Sequence, residues 1–333
     1  MSRRKNIAIR YIALAAIAAA ILAVVPFLGS RSVSFADISH IFSGGAKTVG
    51  ERIFWDIRMP RVLLAFIAGA TLSVCGLSFQ SIFRNPLADP FLLGVSGGAA
   101  LGAVVAIRFG LTFSFLGVIG PQLFAFAGAL ATIFIVYGIA KSHKGFTVAT
   151  MLLTGVAVSF FFSALIMMVQ YIADFSNSFA MVRWMMGSMS IVGFKPVIQI
   201  SVLSAAGVFV VFLKRSEMNL MMAGDELAAG RGVDVEKTRR AIFIAVSLAT
   251  GAVVAICGPI GFVGLIIPHI MRIIFGADHF DLAPACLIGG GAFLVLCDTA
   301  ARLVILPAEI PVGIVTAMLG GPFFIWLLFR NPN

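Results

Sequence analysis

Long stretches of the chain are almost purely apolar and recur at intervals suited to helices that cross a bilayer. They fall at about residues 7–28, 62–83, 92–109, 116–140, 148–172, 196–213, 241–260, 262–275, 283–306 and 311–329. A helix needs about 20 such residues to span the hydrocarbon core. The pattern therefore predicts an all-α integral membrane protein of about ten transmembrane helices. The eighth run is short and joins the seventh through Gly258-Pro259-Ile260-Gly261, the least defined boundary. The first run comes after Ser2-Arg3-Arg4-Lys5, as a signal peptide's core would. At about 22 residues it is long for that role, and the chain beyond it holds no soluble domain. It reads as a retained helix with a cytoplasmic N-terminus, and ten crossings return the C-terminus to the same side. Residues 1–333 read as one transmembrane domain.

Composition excludes a membrane-anchored soluble enzyme: 60% of residues are hydrophobic and 11% charged, with a mean hydropathy of +1.07. A soluble domain is about 45–50% apolar and about 25% charged. The net charge of +10 would suit nucleic acid, but it sorts by membrane side. Of the 24 Lys and Arg, 15 fall in segments placed inside and nine outside. That excess obeys the positive-inside rule, so nucleic acid needs no part in it. The four cysteines, Cys75, Cys257, Cys286 and Cys297, all lie in apolar runs without a C-x-x-C pair, which points to packing.

Two connections are too long for turns. Residues 29–60 form an expected extracytoplasmic loop with Arg31, Lys47, Arg52 and Arg58, ending in Arg58-Met59-Pro60-Arg61. Residues 214–240 form an expected cytoplasmic loop that mixes charge with Met218, Leu220, Met221, Met222 and Leu227. Gly224-Asp225-Glu226-Leu227-Ala228-Ala229-Gly230 reads as a brief helix with an acidic start and a glycine stop. Its apolar side chains need cover from a partner or the membrane interface. Residues 180–190 place Met181, Trp184, Met185 and Met189 at helical spacing, as a short amphipathic helix at the outer surface would. Gly94, Gly98 and Gly102 recur on one helix face where backbones can approach. Arg61…Val74-Cys75-Gly76 and Arg240…Ile256-Cys257-Gly258 echo one another, a possible inverted repeat.

Catalytic signatures are missing. Gly44-Gly45-Ala46-Lys47-Thr48 lacks the glycine before the lysine of a phosphate loop, and the four histidines are scattered. Of the charged residues only Asp298 lies clearly within a span, with Arg302 four residues along the same face. This leaves a self-neutralising pair or a proton relay open. The inner turn Asn85-Pro86-Leu87-Ala88-Asp89-Pro90 is a rigid connector or the lip of a pathway.

Several ordered motifs carry a resemblance. They are Arg58-Met59-Pro60-Arg61, Gly69…Gly76…Gln80, Asn85 to Pro90, and Leu93-Gly94-Val95-Ser96-Gly97-Gly98-Ala99. Further on come Leu152-Leu153-Thr154-Gly155-Val156, Trp184-Met185-Met186-Gly187, Gly224-Asp225-Glu226, and Gly258 through His269. The last are Glu309-Ile310-Pro311-Val312-Gly313 and Gly321-Pro322-Phe323-Phe324. From about residue 55 onward the chain resembles the FecCD-type permeases, membrane subunits of type II ABC importers for iron–siderophore, haem and cobalamin.

The resemblance implies a homodimer in the inner membrane, with a path along its axis, two cytoplasmic ATPase subunits and an extracytoplasmic binding protein. It implies no cofactor, no resident metal and no catalysis by this chain. Arg58, Arg61 and Arg302 would be exposed forks facing acidic residues of the binding protein. Gly224, Asp225, Glu226, Leu227 and Ala228 would form the helix that couples to the ATPase. Path or gate residues would be Asn85, Leu87, Val148 and Ala149, the last two in a mostly apolar stretch. Met167, Met168, Met181, Met185, Met186 and Met189 are candidate soft contacts for haem or a corrin. Iron chelates lead as cargo, with cobalamin second; an ion-coupled carrier built on Asp298 is the rival class.

Overall fold

The computed structural model describes residues 2–29, 49–111, 113–115, 118–142, 148–306 and 308–330. Most of the expected outer loop (30–48), with Arg31 and Lys47, lies outside the described residues, as do His143 and Lys144. The helices are α1 (Ser2–Val24), α2 (Val49–Phe83), α3 (Val95–Arg108), α4 (Gly120–Ser142), α5 (Val148–Tyr171), α6 (Phe175–Met185) and α7 (Lys195–Leu213). They continue as α8 (Arg215–Met222), α9 (Asp225–Gly230), α10 (Val235–Cys257), α11 (Val263–Phe275), α12 (His279–Leu303) and α13 (Val312–Arg330). Each of the ten apolar runs has a helix over most of its described length, the run at 116–140 becoming helical only from Gly120. Among the described residues, seven helices (α1, α2, α4, α5, α7, α10 and α12) are long and apolar enough to cross a membrane. The apolar helices α3, α11 and α13 are shorter. A small antiparallel ribbon, Ser114–Phe115 paired with Val118–Ile119, joins α3 to α4.

Burial decides which helix is central. Protein buries 83% of the most apolar stretch of α2 and only 6% of that of α1. Helix α1 leans on α12 from the periphery, while α2 touches α7, α10, α11 and α12. Small residues make these crossings. A Cβ on Gly69 would sit 2.2 Å from the Gly290 carbonyl oxygen, and one on Gly76 1.9 Å from that of Gly264. On α3, a Cβ at Gly98 would meet Thr132 Oγ1 at 1.9 Å and one at Gly102 the Phe124 carbonyl at 2.0 Å, so the glycine stripe packs on α4. Lipid is as apolar as leucine, so close packing rather than apolar attraction holds such helices together.

Several boundaries differ from the expected ones. The segment expected as loop to residue 60 is helical from Val49, and α2 runs straight through Pro60. Ile53–Arg58 winds as a π-helix, with the Met59 N–H donating to the Phe54 carbonyl five residues back. The wider turn accommodates a proline that cannot donate and whose ring crowds a normal preceding turn. Helix α10 begins at Val235 rather than 241, its first turn capped by the Asp234 carboxylate, which accepts from Lys237 N at 3.0 Å. The amphipathic helix ends at Met185, earlier than expected. The chain then packs on the α10–α11 break, where Ser188 N donates to the Cys257 carbonyl at 2.7 Å.

Two triplets pack alike. Helix α2 packs on α11 and α12, and α10 packs on α3 and α4. Helices α3 and α11 each come after a proline-containing break and a residue in the left-handed region, Gly94 (φ 76°) and Phe262 (φ 70°).

Candidate functional site

Charged residues gather at two ends of the bundle. At the first, the π turn of α2 sets out Arg58 and Arg61. Arg61 Nε donates to Asp298 Oδ1 and Oδ2 at 3.1 and 3.0 Å, and Nη2 to Oδ1 at 2.9 Å. Arg61 Nη1 reaches Glu309 Oε2 at 2.7 Å, and Arg302 Nε lies 3.3 Å from Asp298 Oδ2. Arg58 Nη1 donates to the carbonyls of Pro26 and Phe27 at 3.3 and 3.0 Å, and Arg302 Nη1 to that of Leu28 at 3.2 Å. Two arginines thus cap the end of α1 while Arg61 holds α12.

The three arginines are brought together, but they are not the exposed forks expected: Arg58, Arg61 and Arg302 are 6, 7 and 6% exposed. A charge withdrawn from water needs partners, and the chain supplies carboxylates and helix-end carbonyls. Asp298 is not in a purely local pair either, since its main partner is Arg61, 237 residues away in sequence.

The other end holds the inner turn and the loop helices. Arg84, at φ 48°, closes α2. Asn85 Oδ1 accepts from Leu87 N at 2.9 Å, and the buried Asp89 Oδ1 accepts from Phe91 N at 2.8 Å. Burial pushes the Asp89 carboxyl up to about 6. Leu87, Asp89, Phe91, Gly261, Phe262 and Leu265 surround a pocket of about 200 Å³, so the turn faces the α10–α11 break.

The inner loop forms two helices, and most of its apolar side chains are not stranded. Met218, Met221 and Ala228 are fully buried within this chain, whereas Met222 and Leu227 are exposed. Asp225 Oδ2 accepts from Arg239 Nη2 at 2.8 Å and lies 3.5 Å from Arg84 Nη2. Arg84, Asp225, Glu236, Arg239, Val148 and Ala149 line one open cavity of about 500 Å³. The expected gate residues Val148 and Ala149 therefore share a cavity with the expected coupling residue Asp225, while Leu87 lines only the smaller pocket and Asn85 lines neither. Glu226 is exposed and Gly224 adopts φ 132°.

Arg84, Arg239, Asn219 and His279 went unread in the sequence. Arg239 sits in the basic run Lys237–Arg240, where nothing distinguishes a buried guanidinium from a topological charge. The expected methionine contacts are corrected in part: Met181 and Met189 are fully buried, Met181 against Ala100, Val104 and Ile166, and only Met167 and Met168 stand well exposed.

The fold is a helical membrane bundle with a charged cluster at either end. The chain belongs to the FecCD transport family, whose model matches residues 14–330. It is 36% identical to the hemin transport system permease protein of Yersinia pestis over 93% of this chain and 94% of that one. It is 42% identical to the cobalamin import system permease protein of Halobacterium salinarum over 85% and 75%. A probable iron chelatin transport system permease protein of Helicobacter pylori matches at 36% over 95% and 97%. A solved inward-facing metal-chelate type ABC transporter superposes with a TM-score of 0.84 at 30% identity, covering 96% of this chain and 98% of that one. The protein is a multi-pass permease of an ABC importer, a class that works with ATPase and substrate-binding partners; ATP hydrolysis belongs to the separate ATPase subunit.

Proposed function

We propose that this permease carries a metal chelate, an iron–siderophore or haem, across the inner membrane as a homodimer of ten-helix subunits with both termini cytoplasmic. Two ATPase subunits drive it from the cytoplasm and an extracytoplasmic binding protein feeds it. The observation that carries the cargo class is full-length similarity to a solved metal-chelate transporter and to hemin and iron-chelatin permeases. The 42% identity to a cobalamin permease favours cobalamin as the second reading.

The geometry fits this assignment. The gathering of Arg58, Arg61 and Arg302 at one end of the bundle suits an acidic binding protein. The exposed Glu226 and Leu227 on α9 suit a cytoplasmic partner. On α5, Leu153, Phe160 and Tyr171 are 72, 74 and 90% exposed, an apolar face that a second copy along the path would cover. The matched packing of α2–α4 and α10–α12 supports an inverted repeat, in which ATPase closure tilts one set of helices against the other. Engagement of Asp298 by two arginines removes the feature on which an ion-coupled carrier rested.

The test is a mild detergent purification of the tagged chain from its host. An ATPase subunit should co-purify one-to-one with the permease, and reconstituted vesicles should take up hemin or a ferric siderophore only with ATP and the binding protein. A lone permease with no ATPase under any mild condition would overturn the reading; uptake of cobalamin alone would select the second cargo.

A further inference from the structure

The two inner-loop helices are held to the bundle in different ways, yet both attachments end on the last turn of α2. Helix α8 is fixed by packing and a hydrogen-bond network through Asn219, with Met218 and Met221 buried beneath it. Asn219 Oδ1 accepts from His279 N at 2.9 Å and faces His279 Nδ1 at 2.6 Å, while Asn219 Nδ2 donates to Asp278 Oδ1 at 2.8 Å. The ring carries the contact on to α2, where His279 Nε2 lies 2.5 Å from Ser81 Oγ, whose hydroxyl donates to the Leu77 carbonyl at 2.8 Å.

Helix α9 has far less to hold it. Its only buried side chain is Ala228, a single methyl. What ties it inward is Asp225, bonded to Arg239 on α10 and ion-paired with Arg84 at the end of α2. An ordinary exposed ion pair contributes little. Here the Arg239 side chain is 7% exposed, so removing Asp225 deprives a buried guanidinium of its charge partner. The next two residues, Glu226 and Leu227, face away and are exposed.

Resting on the importer reading, we propose that Asp225 is a positioning residue that transmits movement of α9 into α2 and α10 through Arg84 and Arg239, without itself touching the ATPase. Helix α9 then has a gripped face, Glu226 and Leu227, and a pulling face, Asp225. The end of α2, with Ser81 and Arg84, is where both loop helices deliver their motion to the most buried helix of the bundle.

The test uses the whole complex in lipid nanodiscs and reads ATP hydrolysis with and without the binding protein. That stimulation crosses the membrane only through the permease, so it reports transmission and needs no knowledge of the cargo. Asp225→Asn should retain the ATPase through purification but lose stimulation by about fivefold or more, the lower range for linked sites. Asp225→Glu, which keeps the charge, should restore most of it. Arg84→Gln, on a side chain 44% exposed and so safe for folding, should shift stimulation in the same direction. Full stimulation in both Asp225→Asn and Arg84→Gln would overturn the proposal. Loss of the ATPase from the Asp225→Asn complex would also overturn it, by making Asp225 a contact residue. Absence of any ATPase from the wild-type complex would instead defeat the importer reading itself.

Discussion

Asp298 shows how differently a residue reads alone and in place. Along the sequence its visible partner is Arg302, one helical turn away; in the fold Arg61 meets it with three hydrogen-bond contacts and Arg302 is the longer pair. Breaking a buried pair by removing one partner leaves an uncompensated charge, so Asp298→Asn should lower stability by about 3–5 kcal/mol. Glu309→Gln touches the same arginine from a side chain 47% exposed, and should change it by less than about 1 kcal/mol. Thermal unfolding of the two purified variants in one detergent checks this; equal midpoints would show that Asp298 is not the arginine's main anchor. Residue types were readable at this scale, since arginines beside Pro60 and an acid in a span stand out. Partners were not, because 237 residues separate them.

Elements were read well where apolar length decided and poorly where local chemistry competed with it. Each of the ten runs became a helix over most of its described length, because a buried or lipid-facing backbone must satisfy its own hydrogen bonds. Boundaries slipped where charge was taken for loop, as at the start of α10, or where proline was taken for a stop, as at Pro60. The π turn that lets α2 pass Pro60 has no composition signal, since Ile53-Phe54-Trp55-Asp56-Ile57-Arg58 would equally form an α-helix. The glycines gave the clearest element-scale signal. Gly76 meets backbone rather than a yielding side chain, so Gly76→Ala should push α2 from α11 and destabilise by about 1–3 kcal/mol. Gly138 has nothing within 4 Å of an added Cβ, and Gly138→Ala should be neutral or stabilise by up to about 1 kcal/mol. Detergent-resistance midpoints for the two variants test this, and a neutral Gly76→Ala would mean the crossing is looser than the backbone contact implies.

For the whole molecule, docking of a binding protein at the arginine cluster must compete with contacts already made. Arg58 and Arg302 are held by carbonyls at the end of α1, which a carboxylate can replace with a stronger charge-assisted bond. Arg61 is held by Asp298 and keeps two helices together. Arg58→Glu should therefore weaken binding-protein affinity by about tenfold or more with the permease intact. Arg61→Glu sets like charges side by side and should fail through instability. Affinity of the binding protein for each solubilised variant, measured beside its unfolding midpoint, separates the two routes; unchanged affinity for Arg58→Glu would remove that arginine from docking. By itself the sequence determined the solvent, the helices and the family motifs, because hydropathy and glycine spacing are properties of neighbouring residues. Only the tertiary structure decided that Arg58, Arg61 and Arg302 are buried and that Asp225 turns inward to Arg84 and Arg239. Those outcomes depend on which distant helix supplies the opposite charge, and packing alone settles that.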